Sequence, residues 1–239
     1  MSTIGVFNVK GSPGATTLAL ALAAHGHGQG AVLVEADGAG GDLALRFGIP
    51  QAPGLAQFAA RARQSGGRRE VLDGLVRTVR GDGSSPVDLL PAPVDPAAVQ
   101  AALAALAANP ETLATVQARP VVLDLGRQSP QPSDFGLLAA CDTAVMVVRG
   151  DAVSLGHARE AGWLKELPVR CGFVLIDTGP YRTHEASGVL DIPCLASVPF
   201  SRRPLRGRSV TKATRGLWTV LTTPAEPIHT PELVEVNGR

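Results

Sequence analysis

Aromatic side chains make up only 4% of this 239-residue chain, so any core must rest mostly on Ala, Val and Leu. Cysteine is equally scarce. Cys141, Cys171 and Cys194 are odd in number and match no metal-ligand spacing, and so read as buried free thiols of a reducing compartment. Neither sign of charge dominates: 22 basic residues face 21 acidic ones, a net +1 that excludes bulk attraction to nucleic acid or membrane. No apolar run approaches transmembrane length, and the N-terminus lacks the charged-then-apolar layout of a signal peptide. The expectation is a soluble, cytoplasmic protein. Only three of the 22 basic residues are lysine, which with the Ala and Gly load fits a GC-rich, bacterial genome. His25 and His27 lie two apart and cannot share a helical face, while His157, His184 and His229 are isolated. No Ser/His/Asp or Cys/His constellation emerges.

Apolar residues reach 45% with a mean hydropathy of +0.15, enough for one sizeable domain. Near-continuous apolar runs at 3–9, 31–36, 87–90, 120–125, 144–149, 172–177 and 192–198 read as strands buried on both faces. Helical periodicity falls between and after them, at 16–24, 55–63, 96–108, 133–140, 153–167 and 209–221. That alternation predicts an α/β fold, a doubly wound, mostly parallel sheet with helices on both faces. The domain spans 1–221, and 222–239, with three prolines, reads as a flexible or draped tail. Asp37, Asp124, Arg149 and Asp177 fall at the carboxyl ends of predicted strands, where such sheets bind ligands.

The first strand runs into Lys10, Gly11, Ser12, Pro13, Gly14, Ala15, Thr16 and Thr17, and a helix follows. A Gly-rich turn between strand and helix cradles phosphates on backbone N–H groups. The lysine that normally follows the last glycine is missing, and Ala15 stands there. Losing such a charge-assisted contact costs about 1.5–3 kcal/mol.

These residues resemble the deviant phosphate loop of the ParA/MinD family of P-loop ATPases. Lys10 matches the family's early signature lysine, Gly11 and Gly14 match glycines, and Thr16 matches the hydroxyl that holds magnesium. Ser12 replaces a glycine. The resemblance continues at Val32 through Asp37, at Gly40 to Leu43 with Phe47 to Ile49, and at Val121 through Gly126. It implies ATP or ADP with Mg2+ as ligands, Thr16 and Asp124 at the metal, and Asp37 orienting the attacking water. Glu35 stands where relatives usually carry Asp. Asp177 falls where the family holds the adenine base, in place of a usual Asn. Arg127 and Arg149 are candidates to restore the lost charge; the alternative is two solvated strand-end arginines.

In the family two subunits sandwich ATP and the signature lysine crosses to the partner's phosphates, so the resemblance implies a homodimer. Keeping Lys10 while losing the second lysine points to a degenerate member with weak or no hydrolysis. Such a member would be a positioning or scaffolding factor with a protein partner, similar to TadZ/CpaE-like proteins of pilus or secretion machinery. An active ATPase using Lys10 or an arginine is the alternative. A third reading is a DNA-partition or nucleoid-binding protein acting through Arg202, Arg203, Arg206 and Arg208 in the basic run 201–215. That run has no interleaved aromatics and reads equally as a solvated face. The residues after it do not form a basic amphipathic helix, so direct membrane insertion is not expected.

Overall fold

Strand β1 (Thr3–Asn8) is buried along its whole length and lies near the middle of the molecule. The computed structural model describes residues 2–25, 30–65, 74–80, 85–114, 119–129, 135–200 and 208–223. The remaining strands are β2 (Val32–Glu35), β3 (Arg77–Val79), β4 (Val87–Leu90), β5 (Val121–Arg127), β6 (Thr143–Arg149), β7 (Arg170–Asp177) and β8 (Cys194–Pro199). They form one sheet in the order β3-β4-β2-β5-β1-β6-β7-β8, all parallel except β3, which runs antiparallel to β4. The doubly wound α/β architecture is as expected from the sequence.

Strand side chains alternate between two apolar layers. Ile4, Val6, Val122 and Val145 pack beneath α1 (Ala15–His25) and α8 (Arg208–Thr222). Helix α1 is buried nearly all round, from Leu18 to Ala24, because it is covered by the sheet on one side and α8 on the other. Phe7, Leu123, Met146 and Phe173 face the opposite layer. That layer comprises α3 (Leu55–Ser65), α4 (Pro96–Ala107), α6 (Ala152–Glu160) and α7 (Thr183–Leu190). Asp95 and Asp151 start α4 and α6 by accepting backbone N–H bonds of 3.2 and 2.8 Å.

Several elements differ from what the sequence pattern predicts. Strand β3 is a three-residue edge with only Val79 buried, too short to show a period. The short helices α2 (Leu43–Phe47) and α5 (Glu111–Ala114) and the eight-residue α7 form where the pattern shows no helix. The expected helix 153–167 breaks at Ala161, whose ψ of 68° leaves the helical region, into α6 and a 3-10 turn at Gly162–Lys165. The expected helix 133–140 is a 3-10 turn over Gly136–Ala140, with 133–134 outside the described residues. Arg202, Arg203, Arg206 and the tail from 224 also lie outside them, as does the side chain of Arg208. No helix among the described residues is long and apolar enough to cross a membrane.

Candidate phosphate-loop site

The loop after β1 is shaped by two glycines and one buried amide. Gly11 has φ +68° and Gly14 φ +110°, conformations that other residues rarely adopt. Asn8, 4% exposed, donates its Nδ2 to the Gly11 carbonyl at 3.0 Å and so ties the turn to the strand end. Helix α1 then begins at Ala15, and Leu18 N–H bonds the Gly14 carbonyl at 2.9 Å. The first N–H groups of a helix have no partner within it, so the turn points donors and a positive dipole end at whatever sits above. Ala15 itself is 5% exposed and belongs to the apolar layer under α1. Lys10, Gly11 and Ser12 are exposed, and Pro13 is buried.

Three carboxylates meet beside the loop, and the structure gives them different partners. Asp124 on β5 lies between Val6 of β1 and Glu35 of β2 and is 1% exposed. The Thr16 hydroxyl donates to it, and the Gly126 N–H approaches at 3.4 Å. Burial pushes its carboxyl up to about 7, with further upward pressure from the charges of Asp37 and Glu35. Glu35 is spent on the backbone. It accepts N–H bonds from Asp42 (2.6 Å), Leu43 (2.7 Å) and Ala92 (2.9 Å), which caps α2 and pins it to the end of β4. Asp37 accepts the Ala39 N–H at 2.9 Å and rests on Gly126, whose φ is +59°. A Cβ at Gly126 would lie 2.0 Å from the Asp37 carboxyl carbon. Burial raises the Asp37 carboxyl, and the charge of Arg127 pulls against it.

Arg127 is exposed, and its charge acts on Asp37. Arg149, at the end of β6, does reach the loop: its Nη2 donates to the Ser12 carbonyl at 3.0 Å. It also lines a cavity of about 210 Å3 with Gly14, Thr17, Leu18, Ile176 and Phe200. Asp177 ends β7 but does not line this cavity; its carboxylate lies 3.5 Å from Arg182 Nη1. Sequence reasoning missed the roles of Asn8 and Gly126. Both stand in plain sight beside Lys10 and Asp124, but nothing local signals the contacts they make.

No protein-family sequence model matches the chain, and no curated protein does. Solved structures do match. MinD from Pyrococcus horikoshii, complexed with Mg-ADP, superposes with a TM-score of 0.68 at 20% identity, covering 93% of this chain and 96% of that one. A ParA family ATPase from Chlorobium tepidum gives 0.67 at 18%, covering 93% of each chain. MinD in a MinC:MinD cell division complex from Aquifex aeolicus gives 0.67 at 14%, covering 95% of this chain and 98% of its own. The fold is that of the MinD and ParA ATPases. In this MinD/ParA-like fold the Gly-rich loop, Thr16, Asp124 and Asp37 converge at the carboxyl ends of the central strands. The donor set suits a magnesium nucleotide. Backbone donors and a helix N-terminus would face its phosphates, while a hydroxyl and a buried carboxylate would ligate the metal or hold its water. Among the described residues no cluster of three or more His, Cys, Asp or Glu could hold a metal.

Proposed function

We propose that this chain is a MinD/ParA-like nucleotide-binding protein that holds ATP or ADP through its loop backbone and hydrolyses it weakly or not at all. The observation that carries this reading is Ala15. The loop keeps both positive-φ glycines and the Thr16–Asp124 pair, yet the position of the usual lysine is a methyl group 5% exposed in the apolar layer. Thr16 and Asp124 would hold Mg2+ with the phosphates, and the metal would screen phosphate charge there. Asp37 would orient water if any hydrolysis survives. Removing one preorganised donor from a developing oxyanion lowers kcat by about 10²–10³. Binding depends on many backbone donors and suffers less.

A protein of this kind works as a nucleotide-gated or constitutive homodimer, with exposed Lys10 available to a second subunit, that positions a partner protein. The TadZ/CpaE-like resemblance points to pilus or secretion machinery as that partner's class. The alternative of an active ATPase relying on Arg149 is disfavoured by the Arg149 bond to the Ser12 carbonyl, which spends part of its guanidinium on the loop itself. Calorimetry with ATP and ADP, with and without Mg2+, tests the reading. Magnesium-dependent micromolar binding with turnover at least a hundredfold below that of an intact relative is expected. Absence of binding, or turnover at the relative's rate, refutes it.

A further inference from the structure

The turn after β2 carries Asp37, leads into α2, and lies against Pro91, Ala92, Pro93 and Val94, the segment that follows β4. Proline has no backbone N–H, so this segment has two donors, on Ala92 and Val94. Both are taken, Ala92 N–H by Glu35 Oε2 at 2.9 Å and Val94 N–H by Gln51 Oε1 at 3.0 Å. Two of its carbonyls are taken as well. Pro91 accepts from Leu55 N–H at 2.8 Å, and Pro93 accepts from Gly41 N–H at 2.7 Å. The turn closes on itself where Gly40 N–H donates to the Asp37 carbonyl at 3.0 Å. From α4, Gln100 Nε2 donates to the Gly38 carbonyl at 3.3 Å.

The two layers meet backbone to backbone. A Cβ at Gly41 would lie 2.5 Å from the Ala92 carbonyl oxygen and 2.8 Å from Glu35 Oε2. Glu35, 2% exposed, joins the layers: Oε1 accepts from Asp42 and Leu43 at 2.6 and 2.7 Å, while Oε2 accepts from Ala92. Moving the turn away would strand a buried carboxylate oxygen and the N–H groups it serves, a cost that a free loop does not carry. An aspartate at this position is one C–C bond shorter, about 1.5 Å, too short to hold both layers at once.

We infer that Glu35 is a positioning residue that locks the 37–43 turn in one conformation, so that Asp37 is placed before any ligand arrives and nucleotide binding does not move the turn. The inference rests on the nucleotide-binding reading above, and of the two forms named there it selects the constitutive one. Amide hydrogen exchange on the full chain, without ligand and with Mg2+ and ADP or ATP, tests it. Residues 38–43 are expected to be protected without ligand and to change by less than about twofold when either nucleotide is added. Glu35→Asp and Glu35→Gln should speed exchange at Asp42, Leu43 and Ala92 roughly tenfold to a hundredfold while β1 and β5 stay protected, and nucleotide should then restore part of the loss. A carboxylate that merely stabilised the fold would speed exchange throughout and create no nucleotide response. Gly41→Ala, whose methyl forces the layers apart with the carboxylate intact, should act like the Glu35 variants and replaces them should they not fold. A turn unprotected without ligand, or protection that rises about tenfold or more with nucleotide, overturns the lock. Exchange unchanged in the folded variants overturns the assignment to Glu35. Failure of both nucleotides to bind in calorimetry removes the nucleotide reading, and the ligand-free comparison of parent and variants still decides the lock.

Discussion

Replacing Gly126 by alanine should distort the candidate site more than its size suggests. Gly126 has φ +59°, so any Cβ there carries a left-handed strain of about 1–2 kcal/mol. The added methyl would also lie 2.0 Å from both Cγ and Oδ2 of Asp37, far inside van der Waals contact, so the carboxylate must move. Overpacking of that kind costs a further 1–3 kcal/mol or so. The sum, roughly 2–5 kcal/mol, corresponds to a fall in Tm of about 5–20 °C for a domain of this size. Gly48→Ala supplies the control. Gly48 has φ +63° and nothing within 4 Å of where a Cβ would lie, so it should show the strain alone, a few degrees. Thermal and urea unfolding of Gly48→Ala, Gly126→Ala, Asp37→Ala and the Gly126→Ala/Asp37→Ala double variant complete a double-mutant cycle with its control. Truncating Asp37 removes the atoms that clash, so the double variant should recover about 1–3 kcal/mol relative to the sum of the singles. Equal destabilisation by Gly126→Ala and Gly48→Ala, or an additive cycle, would refute the claim that Asp37 rests on Gly126.

The buried carboxylates make stability pH-dependent. Asp124 rises from 3.8 to about 7, so the folded protein binds its proton more tightly than the unfolded chain does, and stability falls as pH climbs between those values. Urea midpoints between pH 5 and 7.5 should report a loss on the order of 3 kcal/mol from this group, flattened by Asp124→Asn. Glu35→Gln replaces an acceptor oxygen with an amide donor facing backbone N–H groups and should destabilise by about 1–3 kcal/mol, read as a shifted urea midpoint at constant slope. Ala15→Lys should raise turnover by about 10² or more, the scale of one restored donor; turnover unchanged to within a few-fold would refute the claim that the absent lysine is what limits hydrolysis. Asn8→Ala frees the Gly11 carbonyl and should cost about 1–2 kcal/mol by thermal unfolding.

The parallel core was legible because its strands are apolar without interruption. Residues 144–148 and 172–176 are buried throughout, and no other reading accommodates such runs bounded by helical periodicity. Strand β3 was not, since two of its three residues are at least partly exposed and its pairing with β4 is set by the neighbouring strand. The loop glycines were legible as a motif, and their positive φ values are what that motif requires. The destinations of Glu35 and Arg149 were not. Each depends on a backbone group distant in sequence: Glu35 on Ala92, 57 residues away, and Arg149 on Ser12, 137 residues away. Local pattern carries no record of such contacts.

The division of labour among the three carboxylates bears on what losing the lysine at position 15 changes. Glu35 holds α2 and the end of β4 whether or not a ligand is present, because its acceptors are filled by backbone N–H groups. Asp124 has one hydroxyl and one long backbone contact, and its burial disfavours the charge it would need near a cation. A nearby cation favours that charged form, so cation binding and Asp124 ionisation support each other. Under the proposed function the lysine absent at position 15 would belong to the phosphate side of the site, not to this pair. Its absence would therefore weaken charge stabilisation at the phosphates while leaving Asp124 and Thr16 to couple to a magnesium nucleotide. The proposed binding without efficient hydrolysis follows from that asymmetry.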